Sequence, residues 1–344
     1  MRAAQIASLV WCSVSVIAIV SNVAAQQTSR DAAQPGSRVL MDAHNCYPYG
    51  EWWYDRMDRA LSAGTPLAIE QDLTWYTDPR TGKSWPVLSH DREANGHEPT
   101  MREYFFERVR PIVEKALRDG DRSGWPLITL NLDFKSEEPA LLRAVWDMLT
   151  DYKDWITTAP RAVDRPRLQP LDVKPILVLT GESDAQQAVF YDTVPVGGQL
   201  LVFGAVHTNT RDPLAPPGVI ESAVADNYRR WWNNSWVVVE SGGSGQAGAW
   251  TAAKNARLQQ LVAHAHQNHL WIRFYTLDGA APAELSSHGW FRSYNFGSRL
   301  AVQTRWIAAA RAGVDYIASD QYEDLGAYLK ARALVSANRQ GSSQ

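Results

Sequence analysis

Eight short apolar runs, rich in β-branched residues, recur along the 344-residue chain with helical or loop segments between them. They are "RVLMDAHN" (38–45), "PLAIEQDL" (66–73), "LITLNLDFK" (127–135) and "KPILVLT" (174–180), then "LLVFGAV" (200–206), "WVVVES" (236–241), "LWIRFYTL" (270–277) and "VDYIASD" (314–320). Strand–helix alternation repeated eight times predicts an α/β fold, a TIM-type (β/α)8 barrel of parallel strands. "TMREYFFERVRPIVEKALRDG" and "SRLAVQTRWIAAARAG" are good helix candidates among the connections. A ninth short run, "WPVLSHD" (85–91), lies inside the second connection and reads as an excursion from it.

The chain ends read differently. Arg2, the apolar "IASLVWCSVSVIAIV" and the small residues of "NVAA" predict a secretory leader over 1–25, because the apolar run is short for a membrane span. The expectation is a soluble exported protein, secreted or periplasmic. Residues 26–37 read as a flexible tail, 38–331 as one barrel domain and 332–344 as a second tail. Arg2 is the leader's one charge, so the rest of the chain carries 33 of the 34 Lys and Arg against all 37 Asp and Glu. That balance, without any basic run, argues against nucleic acid as a partner. Cys12 leaves with the leader and Cys46 stays alone, so no internal disulfide is available and stability must come from a core.

In a barrel of this kind the loops after the strands make the active face. The first run ends in Asp42-Ala43-His44-Asn45, the second in Glu70-Gln71-Asp72 and the third in Asp133-Phe134-Lys135. The sixth ends at Glu240, the seventh carries Arg273, the eighth ends at Asp320, and the excursion brings His90-Asp91. Alternation in the third run puts Ile128, Leu130, Leu132 and Phe134 on one face and Thr129, Asn131, Asp133 and Lys135 on the other. The polar row is expected to face the barrel interior, with its outer end at the mouth, where Asp133 meets Glu70 and Asp72.

Two like charges about 4 Å apart repel by about 4 kcal/mol at an effective dielectric of about 20, so three carboxylates need a cation or raised pKa values. Oxygen-only ligation favours one Ca²⁺ or Mg²⁺ over zinc. Lys135, two residues from Asp133, can address an anion that the metal also holds. Two histidines on opposite sides of that anion suit general base and general acid. Metal, Lys, Arg and two His together describe a phosphodiester site.

At these residues the sequence resembles the phospholipase C-like phosphodiesterase superfamily, which includes glycerophosphodiester phosphodiesterases and sphingomyelinase D. The resemblance is carried by "DAHNCYP", "IEQDL", "WPVLSHD", "LNLDFK", "RFYTLDG" and "GVDYIASD", in the family's order across residues 38–320. It implies that His44 and His90 do the chemistry, His44 as base or nucleophile and His90 as acid. It implies that Glu70, Asp72 and Asp133 hold the metal and that Lys135 faces the phosphate. Asn45 and Arg273 are the further candidates for phosphate contacts. Asn45 stands where glycerophosphodiesterases usually carry Arg. Asp133 stands where their third ligand is commonly Glu, a pattern closer to sphingomyelinase D or the secreted calcium-dependent phosphatidylinositol phospholipase C-like branch. The implied substrate is a phospholipid or glycerophosphodiester, met in transient contact with a membrane surface, its head group left open.

Other readings compete. Glu70, Asp72 and Asp133 also suit a salt-bridged barrel interior, and His44 and His90 core histidines. Arg273 reads equally as a phosphate contact or as an inward Arg paired to Glu240 or Asp320, and Asp320 reads as structural. His264, His266 and His269 sit at a helix end and suit its C-terminus. Cys46 reads as inert, "ESGGSGQAG" (240–248) as a mobile rim loop, and Trp231, Trp232 and Trp236 as packing between helix and barrel. Trp52-Trp53 reads as core or as a lipid contact. Two rival functions remain: a glycoside hydrolase with Glu240 as one catalytic carboxylate, and a binding protein without turnover.

Overall fold

The computed structural model describes residues 27–28, 30–49, 54–91, 93–288 and 292–341. The expected leader and the Trp52-Trp53 pair lie outside the described residues. Among the described residues no helix is long and apolar enough to cross a membrane.

Eight strands are arranged in chain order: β1 (Leu40–Ala43), β2 (Leu67–Thr77), β3 (Ile128–Phe134), β4 (Ile176–Thr180), β5 (Phe203–Ala205), β6 (Arg229–Ser235), β7 (Trp271–Tyr275) and β8 (Tyr316–Ser319). Each pairs in parallel with the next, and β1 pairs in parallel with both β2 and β8, so the sheet closes without a free edge. Helices pack outside. The fold is a TIM-type (β/α)8 barrel, as the alternation predicts.

Alternation decides what each strand face meets. On β3, Ile128, Leu130 and Leu132 are buried in the apolar core, and Phe134 lies 5.9 Å from Phe190, ring to ring. The other row points inward: Thr129 reaches Tyr316 on β8 across the barrel, and Asn131 reaches Glu70 on β2. Two helices start and stop where their sequences dictate. Arg299–Ala312 begins on Ser298, whose hydroxyl accepts from the Ala301 amide, and ends at Gly313 with φ 85°. Glu107–Asp119 ends in the same way at Gly120, φ 69°.

Three expectations are corrected. The sixth strand is "RRWWNNS", not the more apolar "WVVVES"; Trp236–Val238 form a 3-10 turn beyond it. The barrel needs inward polar residues at this point, and β6 supplies Asn233, which pairs in register with Arg273 on β7. Residues 30–37 are packed rather than loose: the Ala33 carbonyl accepts from the Trp271 indole, and the Gly36 amide donates to Asp315. The last helix, Tyr322–Gly341, runs through most of the segment expected to be a second tail.

The excursion in the second connection has a geometric purpose. β2 continues past the rim and pairs with an antiparallel strand, Ser84–Leu88, in the register Leu73↔Leu88 to Thr77↔Ser84. Two residues further, the chain has folded back to the level at which it left the barrel. The Ser89 amide donates to the Asp72 carbonyl, which sets His90 beside the Asp72 side chain.

Candidate active site

At the mouth of the barrel a cavity of about 270 Å³ is lined by His44, Asn45, Glu70, His90, Asn131, Leu132, Asp133, Lys135, Gly181, Asn233, Arg273, Tyr275 and Tyr294. The sequence-derived candidates His44, Asn45, Glu70, His90, Asp133, Lys135 and Arg273 therefore share one space. Asp72 sits just behind it, fully buried.

β1 delivers His44 and Asn45. Asn45 takes a positive φ of 52°, a conformation Asn tolerates better than most residues, and this turns the chain sharply at the strand end. The turned Asn45 amide donates to Glu70 Oε2 at 3.0 Å. The Asn45 side chain is engaged inside the protein: its amide nitrogen donates to Asp320 Oδ1 at 3.0 Å, and its oxygen accepts from the Tyr47 hydroxyl at 2.7 Å. His44 Nδ1 lies 2.9 Å from the same Asp320 oxygen, and Nε2 lies 3.5 Å from Glu70. Burial acts to lower the His44 pKa, but Glu70 and then Asp320 more than offset it and raise it to about 9.

Asp320 is thus no bystander. Its second oxygen takes Arg56 at 3.2 Å, and its backbone amide donates to Asp278 at 2.7 Å. The result is a buried carboxylate–imidazole pair in which Asp320 fixes the proton on Nδ1 and turns Nε2 toward the cavity.

His90 forms a second pair. Its Nδ1 lies 2.8 Å from Asp72 Oδ2 and 3.1 Å from the Tyr47 hydroxyl. Tyr47, absent from the sequence-derived set, therefore touches the Asn45 amide on one histidine's side and the ring of the other. Asp72 Oδ2 also takes Lys135 Nζ at 2.9 Å, and Lys135 reaches Asp133 Oδ2 at 2.8 Å. Burial raises the Asp72 pKa to about 6, against the hydrogen bond from His90 and with repulsion from Asp133 adding to it. For Lys135, burial is overcome by Asp72 and Asp133, and its pKa is raised.

Arg273 lies deeper. Its Nε donates to Asp42, Nη1 to Asn233 at 3.0 Å, and Nη2 faces Glu70 at 3.2 Å. Its partners are therefore Asp42 and Glu70, not Glu240 or Asp320. Burial alone would raise the Glu70 pKa, yet Arg273 and His44 hold it below the usual carboxylate range. Glu240, the carboxylate of the glycosidase alternative, is buried away from this cavity. It is held by Arg305 at 2.8 Å, Lys254 at 2.6 Å and the Trp236 indole at 2.9 Å, a closed cluster that pins the loop after β6. His264 and His266 lie outside the site too, on the Glu221 carbonyl and Asp315.

The residues fit a metal. Glu70, Asp72 and Asp133 each offer an oxygen within 4.8 Å of the others, and Asp72 Oδ1 is buried without a hydrogen-bond partner. Three carboxylates with an unused buried lone pair suit a hard divalent cation. His44, Asp278 and Asp320 also lie close enough for a shared ion, but His44 and Asp320 already satisfy one another.

No family model matches the sequence, and no curated protein matches it. A solved structure that does match is described as a calcium-dependent phosphoinositol-specific phospholipase C from a Gram-negative bacterium, Pseudomonas sp., in apo form and in complex with myoinositol. The likeness covers 84% of this chain and 91% of that one, with a TM-score of 0.45 and 10% identity. The barrel is established by this chain's own closed sheet of eight parallel strands, and the chemistry below rests on its own side chains.

Proposed function

We propose that the protein is an exported, metal-dependent phosphodiesterase acting on a phospholipid or glycerophosphodiester. The observation that carries this reading is the pair of histidines on one polar cavity, each backed by its own aspartate, over a carboxylate cluster that also holds a lysine. Glu70, Asp72 and Asp133 would hold one Ca²⁺ or Mg²⁺, which would supply Lewis-acid polarisation of the phosphoryl oxygens. Lys135 meets the phosphate charge, and Arg273 stiffens Glu70 and Asp42 beneath it. Asn45, whose side chain is taken up by Asp320 and Tyr47, positions His44 rather than binding phosphate through its amide.

His44 is the base or nucleophile and His90 the acid that protonates the leaving oxygen. The raised pKa of His44 traces to Glu70 first and Asp320 second among its attractive neighbours, so taking up the Glu70 charge favours the neutral imidazole that a base requires. Tyr275 and Tyr294 flank the His44 ring at 5.9 Å and 5.4 Å and give the mouth an aromatic wall. The test is turnover of a panel of phospholipids and glycerophosphodiesters with and without EDTA. Metal-dependent release of one head group is the expected result, and full activity in stripped protein would sink the proposal.

A further inference from the structure

The three carboxylates already have a cation among them. Lys135 Nζ sits 2.9 Å from Asp72 and 2.8 Å from Asp133, two of the three groups that would hold a metal. A divalent cation on those oxygens and an ammonium beside them repel each other, so the cation weakens the ammonium's hold on them. Lysine is a point charge on a flexible four-carbon stem, and Lys135 lines the open cavity. It can leave the carboxylates without leaving the site. Asp72 Oδ1, buried and without a hydrogen-bond partner, is an acceptor that lysine alone does not satisfy.

We propose that Lys135 is the internal counter-ion of the carboxylate cluster, and that a divalent cation and a phosphate-diester anion bind as a linked pair. The cation displaces the ammonium from Asp72 and Asp133, and the displaced ammonium receives the anion. Each ligand lowers the cost of binding the other, and the coupling is reciprocal. The protein would then hold calcium weakly until an anionic ligand arrives. This rests on the metal-site reading above, not on turnover.

The test is calorimetric titration of Ca²⁺ into metal-free protein, alone and with saturating dimethyl phosphate, on wild type, Lys135→Met and Lys135→Arg. Wild type should bind Ca²⁺ about tenfold more tightly with dimethyl phosphate present, within the usual range of coupling. Lys135→Met should bind Ca²⁺ alone about tenfold more tightly than wild type and gain less than about twofold from the anion. Lys135→Arg, which keeps the charge, should return Ca²⁺ affinity toward the wild-type value. Lys135→Met binding Ca²⁺ no more tightly than wild type, an equal gain from dimethyl phosphate in both, or Lys135→Arg behaving as Lys135→Met would each overturn the inference. If none of the proteins binds Ca²⁺, the metal site falls with it. The expected binding pattern without diester turnover leaves the inference standing and removes the proposed activity instead.

Discussion

His44 and His90 face the same cavity and are held in different ways. His44 leaves a barrel strand and is 4% exposed, wedged between Asp320 and Glu70 and wired through Asn45 to the strand-end turn. His90 stands at the foot of a hairpin outside the barrel, its side chain 31% exposed, with Asp72 and Tyr47 on one ring nitrogen. The barrel supplies the rigid partner and the excursion the accessible one. A group that must be placed within tenths of an ångström of a reacting phosphorus belongs on the rigid element. A group that serves the leaving oxygen, whose position varies with the substrate, tolerates a looser mount.

If that contrast is real, the heaviest loss belongs to the buried side. His44→Ala should cut turnover by roughly 10²–10⁴-fold, on every diester tested, the scale of a lost general base. Circular dichroism should show the fold intact. Retention of near-native rates would dissolve the contrast.

Asp320→Asn sharpens it. Asn keeps the shape but not the charge, so His44 loses the partner that sets its tautomer, and turnover should drop by about 10²-fold. The raised pKa of His44 should fall with it, read by NMR titration of the ring. A normal rate with an unmoved titration would return Asp320 to the structural role that the sequence suggested.

A smaller effect concerns stability. His44 titrates in the folded protein at about 9, above its ordinary 6.5. The stabilisation from its charged form is therefore fully present below pH 6.5 and lost as pH rises through about 9. Urea unfolding in chelator should show wild type weakening across that window. His44→Ala should remove that slope, and its persistence would place the titration elsewhere.

Much of this site is visible in the sequence because neighbouring strands obey simple alternation. Glu70 and Asp72 share a face by spacing alone, and Asn131 and Asp133 line up with them in register. His90 comes with its hairpin because "WPVLSHD" reads as a short strand followed by a polar turn. The sixth strand is harder to see. Its inward Asn233 and its arginines make "RRWWNNS" look less like a strand than the apolar Trp236–Val239 beside it, since a strand that lines a polar cavity loses the apolar signature of a buried one. The Asp320–His44 pair spans 276 residues, and Asp278 behind it 42, so local pattern places Asp320 at a strand end but carries no trace of either contact. Tyr47 is two residues from Asn45, but its partner His90 is 43 away.

The most direct measurement is the dependence of each histidine's loss on the leaving group. Rates of wild type, His44→Ala and His90→Ala should be compared on a p-nitrophenyl phosphodiester, whose leaving oxygen needs little protonation, and on an alkyl diester, whose leaving oxygen needs it. His44→Ala should lose heavily on both, whereas His90→Ala should lose about 10²-fold on the alkyl diester and less than about tenfold on the activated one. Equal losses for His90→Ala on the two substrates would contradict its assignment as the acid and the division of labour between the two histidines.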